Sequence, residues 1–132
     1  MLAPEGHQFN QKEAKRLVKY DQLILLCGRY EGFDARVDDY IDEKISIGPY
    51  VLAGGELPAL IVAEAVARHV PGVVGHQDAL KDETFSHGDE YIEYPQYSRP
   101  EVFEGKRVPK VLLSGDHAAV AAWRKKKIKK RK

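Results

Sequence analysis

Apolar positions recur along much of this chain at the spacing of helices. A helix is predicted over residues 11–20, with Asn10 as its N-cap, and a shorter one over residues 34–40. The clearest helix covers residues 56–69. Pro58 stands in its first turn, where the missing backbone N–H of proline costs little. Because this helix is apolar around much of its circumference, we expect it to be well buried.

Short apolar runs between these helices predict strands. The run over residues 22–27 is typical of a strand buried on both sides, and further strands are predicted over residues 44–47 and 108–113. A last helix begins at His117, and residues 69–100 form a long loop with little periodicity. Strands that alternate with helices indicate an α/β fold with a mostly parallel sheet and flanking helices. Three strands are few for such a sheet, so we expect a partner to complete the core.

Charge is distributed unevenly over the 132 residues. Eight of the 21 Lys and Arg residues lie in the basic segment 124–132, which leaves 13 against 20 Asp and Glu in residues 1–123. We therefore expect one domain over residues 1–123, with a net charge of about −7, and a basic C-terminal tail. Such a tail suits a nucleic acid, or it is a solvated end that aids solubility. A lone cysteine, Cys27, fits a reducing, cytoplasmic compartment.

Glycines follow the apolar runs and suggest places where backbone amides approach a ligand. Their spacing matches neither the dinucleotide-binding pattern nor the phosphate-binding loop. If a nucleotide-like ligand binds, we therefore do not expect its phosphates to be the groups that are recognised. Plain turns remain the alternative. The histidines of the long loop fit no standard zinc spacing, and we expect no metal site there. The glycines are Gly28, Gly32, Gly48, Gly54, Gly55 and Gly115, and the histidines are His69, His76 and His87.

Four ordered blocks carry a resemblance to the bacterial tRNA (guanine-N(1)-)-methyltransferase family. They read LCGRYEGFDARV over residues 26–37, SIGPYVLAGGELP over 46–58, YSRPEV over 97–102 and VPKVLLSGDH over 108–117. The likeness covers nearly all of residues 1–124. It implies a trefoil-knotted SPOUT fold, a homodimer, S-adenosylmethionine as methyl donor, and a tRNA substrate methylated at the guanosine 3′ of the anticodon.

The resemblance also implies which residues hold the cofactor. Three loops of the family serve this purpose, and the physics is consistent with that role. An adenine ring is well served by backbone groups and aliphatic walls, and a sulfonium cation is drawn to a carboxylate such as Glu31. The implied residues are Leu2, Ala3, Pro4, Gly28, Tyr30, Glu31, Gly32, Ser46, Ile47, Gly48, Tyr50, Leu52, Gly54, Gly55 and Pro58.

Two catalytic roles follow from the same resemblance. Arg68 matches an arginine that stabilises charge on the guanine carbonyl oxygen. Alignment on Phe85 places Glu83 where the family has an aspartate as general base, with Asp82 one residue earlier. Glutamate is one methylene longer, so either Glu83 serves, or a shifted loop brings in Asp82, or the base is compromised; we favour Glu83. The alternative to a catalytic role is a solvated acidic pair. A divalent cation, Mg²⁺, is a further candidate cofactor.

The family's proteins are longer at both ends than this sequence. Two functions therefore stay open: an active, reduced methyltransferase that holds RNA with its basic tail, and a truncated or split module that binds S-adenosylmethionine and needs a partner chain for turnover. A generic nucleotide-binding module is disfavoured because the chain has no phosphate motif.

Overall fold

In the computed structural model, residues 1–76 and 80–131 are described, and they belong to two units, Met1–Gln77 and Asp78–Lys132. The first unit holds a parallel pair of strands and two α-helices, and the second holds two antiparallel pairs and one α-helix. The prediction of an α/β chain is confirmed. The expected mostly parallel sheet is not seen, because parallel pairing within the described ranges is confined to one pair of strands.

The parallel pair joins β1 (Leu2–Gln8) to β2 (Ile45–Ser46), which is the core of the strand predicted over residues 44–47. Leu2 and His7 both lie opposite Ile45, so β1 leaves its partner between these positions. The backbone nitrogen of Ile45 donates to Met1 at 2.9 Å on one side of this bulge, and His7 donates to Lys44 at 3.1 Å on the other.

Helix α1 (Gln11–Leu17) confirms the first predicted helix, although it ends three residues earlier than expected. Its cap is the predicted one: the side-chain oxygen of Asn10 accepts from the backbone nitrogen of Glu13 at 3.1 Å. Ala14 and Leu17 are fully buried and join the core of the first unit.

Helix α2 (Glu56–Ala67) confirms the clearest predicted helix, but the expectation that it is well buried is wrong. Val62 and Val66, one turn apart, enter the core, and α1 packs on this side. Pro58 is also buried, but three large apolar side chains are left exposed to solvent. Exposed fractions are 65% for Leu57, 65% for Leu60 and 48% for Ile61.

The strand predicted over residues 22–27 is wrong. These residues are irregular, and Ile24 is 73% exposed. One backbone hydrogen bond, from Leu2 to Leu26 at 3.0 Å, ties the run to β1. An apolar run becomes a buried strand only when a ladder flanks it, and a single hydrogen bond is no ladder.

The strand predicted over residues 108–113 is also wrong, because a 3₁₀ helix covers Lys110–Leu113. Pro109 removes a backbone donor from any ladder, and its carbonyl instead accepts from Leu112 at 2.9 Å. The short helix predicted over residues 34–40 is confirmed as a 3₁₀ helix, Ala35–Tyr40.

The second unit is built from short pieces. Strand β3 (Tyr91–Ile92) pairs with β6 (Lys129–Lys130), and β4 (Val102–Phe103) forms a hairpin with β5 (Lys106–Arg107). Helix α3 (His117–Lys127) begins where predicted and extends into the basic segment. None of residues 80–131 has a buried side chain. Across the described helices, none combines the length and apolar character that crossing a bilayer requires.

An ion-pair network ties α1 to the segment before β2. Arg16 donates to Glu13 at 2.8 Å and to both carboxylate oxygens of Glu43 at 2.8 and 2.9 Å. His7 adds a second basic group, 3.3 Å from Glu13. The hydrogen bond from Arg16 is the main cause that holds the pKa of Glu13 below its ordinary value. His7, Glu13 and Glu43 could also gather around a cation, but both carboxylates already accept hydrogen bonds from Arg16.

We expect Arg16→Met to lower the free energy of unfolding at pH 7 by about 1 kcal/mol, since one side chain bridges two carboxylates. A carboxyl whose pKa is depressed on folding stabilises the fold above its ordinary pKa of 4.5 and loses that contribution as the pH falls through the folded value. The deficit should therefore shrink below pH 4.5 in urea titrations. Lys12→Met removes the same charge from the same helix and serves as control. An equal deficit at pH 7 and pH 3 would contradict the network's role.

Candidate functional site

One cleft of about 480 Å³ opens in the first unit. It lies where the β1 bulge, the loop after residue 27 and the stretch from β2 to the start of α2 come together. All fifteen residues for which the resemblance implies cofactor contact line it. Further lining residues that the sequence reasoning missed include Phe33, Asp38 and Lys44, and Glu5 and Arg29 of the implied cofactor loops also line the cleft.

The tip of β2 is held by a buried hydroxyl. Ser46 is 6% exposed, and its Oγ donates to the carbonyl of Gly48 at 3.0 Å and accepts from the Gly48 amide at 3.2 Å. The Tyr50 hydroxyl donates to the carbonyl of Ile47 at 3.3 Å. These bonds within five residues fold the chain back at the end of the strand, so that its backbone borders the cleft.

Two glycine loops touch at the floor of the cleft. The amide of Gly55 donates to the carbonyl of Gly28 at 2.9 Å, and an isolated bridge pairs Arg29 with Gly54. A Cβ at Gly55 would lie 2.7 Å from the Cα of Cys27, a distance that real side chains do not tolerate. Glycine at this position is therefore a requirement of the close approach.

The first of these loops makes a tight turn. Gly32 donates to the carbonyl of Arg29 at 3.0 Å, and its φ of +89° lies in the left-handed region that favours glycine. Tyr30, also at positive φ, is fully exposed, and Glu31 presents an exposed carboxylate to the cleft.

An ion pair across the cleft floor links the glycine loop to α2. Arg29 donates from Nε to Glu56 at 2.7 Å. The pKa of Glu56 is lowered by a hydrogen bond from its own backbone and then by Arg29. Glu56 also lies in the first turn of α2, where a negative charge is favoured. The sequence carries a signal for this pair: Arg29 follows a glycine in the first loop, and Glu56 follows the two adjacent glycines of the second.

A second ion pair stands at the other wall. Lys44 contacts Asp38 at 2.7 Å and Glu5 at 3.3 Å, and the hydrogen bond to Asp38 is the main cause of its raised pKa. Glu5 lies in the β1 bulge, so this contact steadies the part of β1 that is off the ladder. The pKa of Glu5 is lowered, by its own backbone first and by Lys44 second.

Taken by its chemistry, the cleft offers apolar walls at Ile47, Leu52 and Pro58, backbone polar groups at its glycines, and the carboxylate of Glu31. A flat heteroaromatic ring is bound by such walls together with backbone donors and acceptors. A carboxylate at the edge attracts a cation. The residues present therefore fit a ligand that combines an aromatic ring with a positive charge.

The residues with expected catalytic roles fall in both units. Arg68 follows α2 in the first unit; it is half-buried, and its amide donates to Glu64 at 3.2 Å. In the second unit, Asp82 is 68% exposed, with a carboxylate oxygen 3.3 Å from Nε2 of His87. Glu83 is half-buried, and its carbonyl accepts from the amide of Ser86 at 2.9 Å.

The turn that carries Asp82 and Glu83 is folded against β3. Phe85 donates its amide to the carbonyl of Tyr91 at 2.9 Å, and the amide of Glu93 donates to the Thr84 hydroxyl at 3.2 Å. The ring of His87 meets the ring of Tyr91 edge-on, with centroids 4.7 Å apart. These contacts fix a turn within the stretch that the sequence pattern predicts to be a long loop.

Comparison with known proteins identifies a family. The model of the family described as tRNA (Guanine-1)-methyltransferase TrmD matches residues 1–132. Similar proteins include the tRNA (guanine-N(1)-)-methyltransferase of Dictyoglomus turgidum, 52% identical over 131 residues, which are 99% of this chain and 53% of that protein. Those of Rhodopirellula baltica and Metamycoplasma arthritidis are 52% and 48% identical over 125 residues, covering 94% and 95% of this chain and 52% and 54% of their own. The chain spans about half the length of the curated relatives it matches.

Proposed function

Because this chain belongs to the tRNA (guanine-1)-methyltransferase family, we propose that it transfers a methyl group from S-adenosylmethionine to N1 of the guanosine 3′ of the anticodon in tRNA. One observation carries the proposal: fifteen residues from three separate stretches of sequence, each implied by the resemblance to hold the cofactor, line the same cleft. A tRNA substrate also places the proposed reaction in the cytoplasm.

In this proposal the cleft binds the methyl donor. Leu52, Ile47 and Pro58 hold the adenine ring, and the glycine backbones supply its hydrogen-bond partners. Glu31 faces the sulfonium charge. The cofactor, when bound, supplies an electrophilic methyl group on a cationic sulfur. The contribution of the cleft is to fix the direction of that methyl group, and orientation of this kind can supply several kcal/mol of barrier reduction.

The catalytic residues act on the guanine. Arg68 stabilises the negative charge that develops on the guanine carbonyl oxygen. Glu83 accepts the N1 proton as the ring nitrogen bonds to the methyl carbon and the carbon–sulfur bond breaks. Glu83 is favoured over Asp82 because it is half-buried, whereas the Asp82 side chain is 68% exposed. The role of Mg²⁺ stays a prediction.

The proposed fold and assembly go with this function. The stretch from β2 to α2 belongs to a trefoil-knotted SPOUT domain over residues 1–123, followed by the basic segment 124–132. A homodimer is supported by the exposed apolar face of α2, formed by Leu57, Leu60 and Ile61. Exposed side chains at this spacing form a stripe that a second copy would cover.

The half-length match keeps a second function in view. As a split module, the chain would bind S-adenosylmethionine and turn over only with a partner chain. Cofactor binding without methylation of unmodified tRNA would favour this second function, and binding with methylation would favour the enzyme.

Cofactor binding is tested by calorimetry with S-adenosylmethionine on the full chain. We expect Gly55→Ala to weaken binding by about tenfold or more, since overpacking of this kind costs about 1–3 kcal/mol and tenfold in affinity is about 1.4 kcal/mol. Gly75→Ala is the matched control, because a Cβ at Gly75 meets nothing within 4 Å. No binding by the parent chain, or equal binding by Gly55→Ala, would overturn the assignment of the cleft.

The general base is tested with a pair of isosteric changes. Glu83→Gln should lower the methylation rate by about 10²–10⁴-fold, the usual contribution of a positioned base, and leave cofactor affinity unchanged. Asp82→Asn should keep most of the activity. The reverse pattern would assign the role to Asp82, and full activity in both variants would remove the base from this turn.

The dimer is tested by sedimentation velocity. Leu60→Glu places a charge in the middle of the exposed α2 face, where burial of an unpaired charge is strongly unfavourable. We expect the parent chain to sediment as a dimer and this variant as a monomer. Val73→Glu changes another exposed aliphatic residue, outside α2, and should leave the dimer intact. A parent chain that is monomeric at all concentrations would refute the proposed interface.

A further inference from the structure

A second cleft, of about 850 Å³, lies wholly within the second unit and has no part in the proposed methyl transfer. It runs between the stretch before β4, the 3₁₀ helix Lys110–Leu113 and the middle of α3. Its lining combines aromatic rings, a few aliphatic side chains and two arginines. The members used below are Tyr94, Tyr97, Arg99, Trp123 and Arg124.

Tyr97 offers an uncovered ring face in this cleft. Its ring centroid is 6.2 Å from that of Trp123, and the two planes are inclined by 60°, so neither ring stacks flat on the other. The residue is 49% exposed although it borders a cleft. A half-exposed aromatic ring braced at one edge by a second ring is a platform on which another flat ring can stack.

Cationic groups are fixed beside the aromatic rings. The guanidinium of Arg124 lies 4.9 Å from the centre of the Tyr94 ring, and the ammonium of Lys127 lies 6.0 Å from that of Trp123. Both cations stand on α3, one turn apart. The one carboxylate in the lining, Glu101, is engaged by Arg107 at 2.9 Å, so the rim is positive on balance.

The basic segment is held in place rather than left as a loose end. Strand β6 pairs with β3, and the amide of Arg131 donates to the carbonyl of Glu90 at 2.8 Å. The guanidinium of Arg131 lies 5.7 Å from the centre of the Phe85 ring. Part of the positive charge is thereby ordered before a polyanion binds, which lowers the entropic cost of binding.

We infer that this cleft binds single-stranded RNA, with one unpaired base stacked on Tyr97 and the flanking phosphates on Arg124 and Lys127. Positive charge alone would serve any polyanion, but only a nucleic acid brings flat rings between its charges. The cleft is lined by aromatic rings, which suit an unpaired nucleotide better than a duplex. The inference rests on the proposed function in that both take RNA as ligand, and it adds a contact outside the cofactor cleft.

The experiment uses the fluorescence of Trp123, the chain's single tryptophan. The full chain without cofactor is titrated with an oligouridylate of about eight nucleotides, which holds no guanine to methylate. We expect quenching on binding, and we expect Tyr97→Ala to weaken affinity by roughly 5- to 100-fold, the range for loss of one stacked base. Tyr97→Phe keeps the ring and should bind within about twofold of the parent chain. Tyr20→Ala, at an exposed tyrosine of the first unit, is the control.

Further arms separate stacking from charge. Tyr97→Leu keeps apolar volume in the cleft and should weaken binding as Tyr97→Ala does, which guards against a variant that fails to fold. Affinity of Tyr97→Leu should show the same salt dependence as the parent chain, because the phosphate contacts remain. Equal quenching by inorganic polyphosphate, tighter binding of duplex RNA, or parental affinity in Tyr97→Leu would overturn the inference. This titration does not measure methylation. A failure to bind RNA at this cleft would therefore not contradict the proposed reaction, and a failure to methylate tRNA would not contradict RNA binding at this cleft.

Discussion

The contact on which the first unit depends is the approach of Gly55 to the backbone around Gly28. One hydrogen bond of 2.9 Å joins the two loops, and no side chain fits between them. Helix α2 begins at this contact, since the carbonyl of Gly55 accepts the first bond of the helix from Ala59 at 2.9 Å. The direction of α2, and with it the burial of Val62 and Val66 in the core, is therefore set at the same place as the floor of the cleft. Site and core share one constraint.

Around that contact, the cleft is built from features with little stability of their own. The β1 bulge is off the ladder, the tip of β2 is held by Ser46, and the Arg29–Glu56 pair is largely exposed. Exposed ion pairs contribute little free energy, so their role here is geometric. They hold three loops at a fixed spacing while leaving their backbone groups free to meet a ligand. The backbone contact between the glycines is therefore the rigid one, and the ion pairs between side chains are the adjustable ones.

Local signals in the sequence were sufficient for the helices, but they located only one of the three predicted strands, the one over residues 44–47. Asn10 caps the first helix as predicted, and the last helix begins at His117 as predicted, with Asp116 as its observed cap. The run over residues 22–27 has the composition of a buried strand, but composition does not supply the neighbour that makes a ladder, and Ile24 remains exposed. The same holds for α2. Its apolar circumference indicates which side chains can be buried, but it does not identify the element that would cover them. For the cleft, the motifs identified the glycines and aliphatic walls, whereas the pairing of Arg29 with Glu56 depends on a fold in which residues 27 positions apart meet.

The lack of buried side chains in residues 80–131 has a thermodynamic consequence. An arrangement held by short strand pairs, caps and ring contacts opens at low free energy, so its amide hydrogens exchange through local opening well before those of the core in the first unit. A molecule that binds only the closed arrangement then adds its own binding free energy to that small reserve. In residues 80–131, ligand binding and structural order are therefore coupled. The fraction of molecules in the described arrangement rises with ligand concentration.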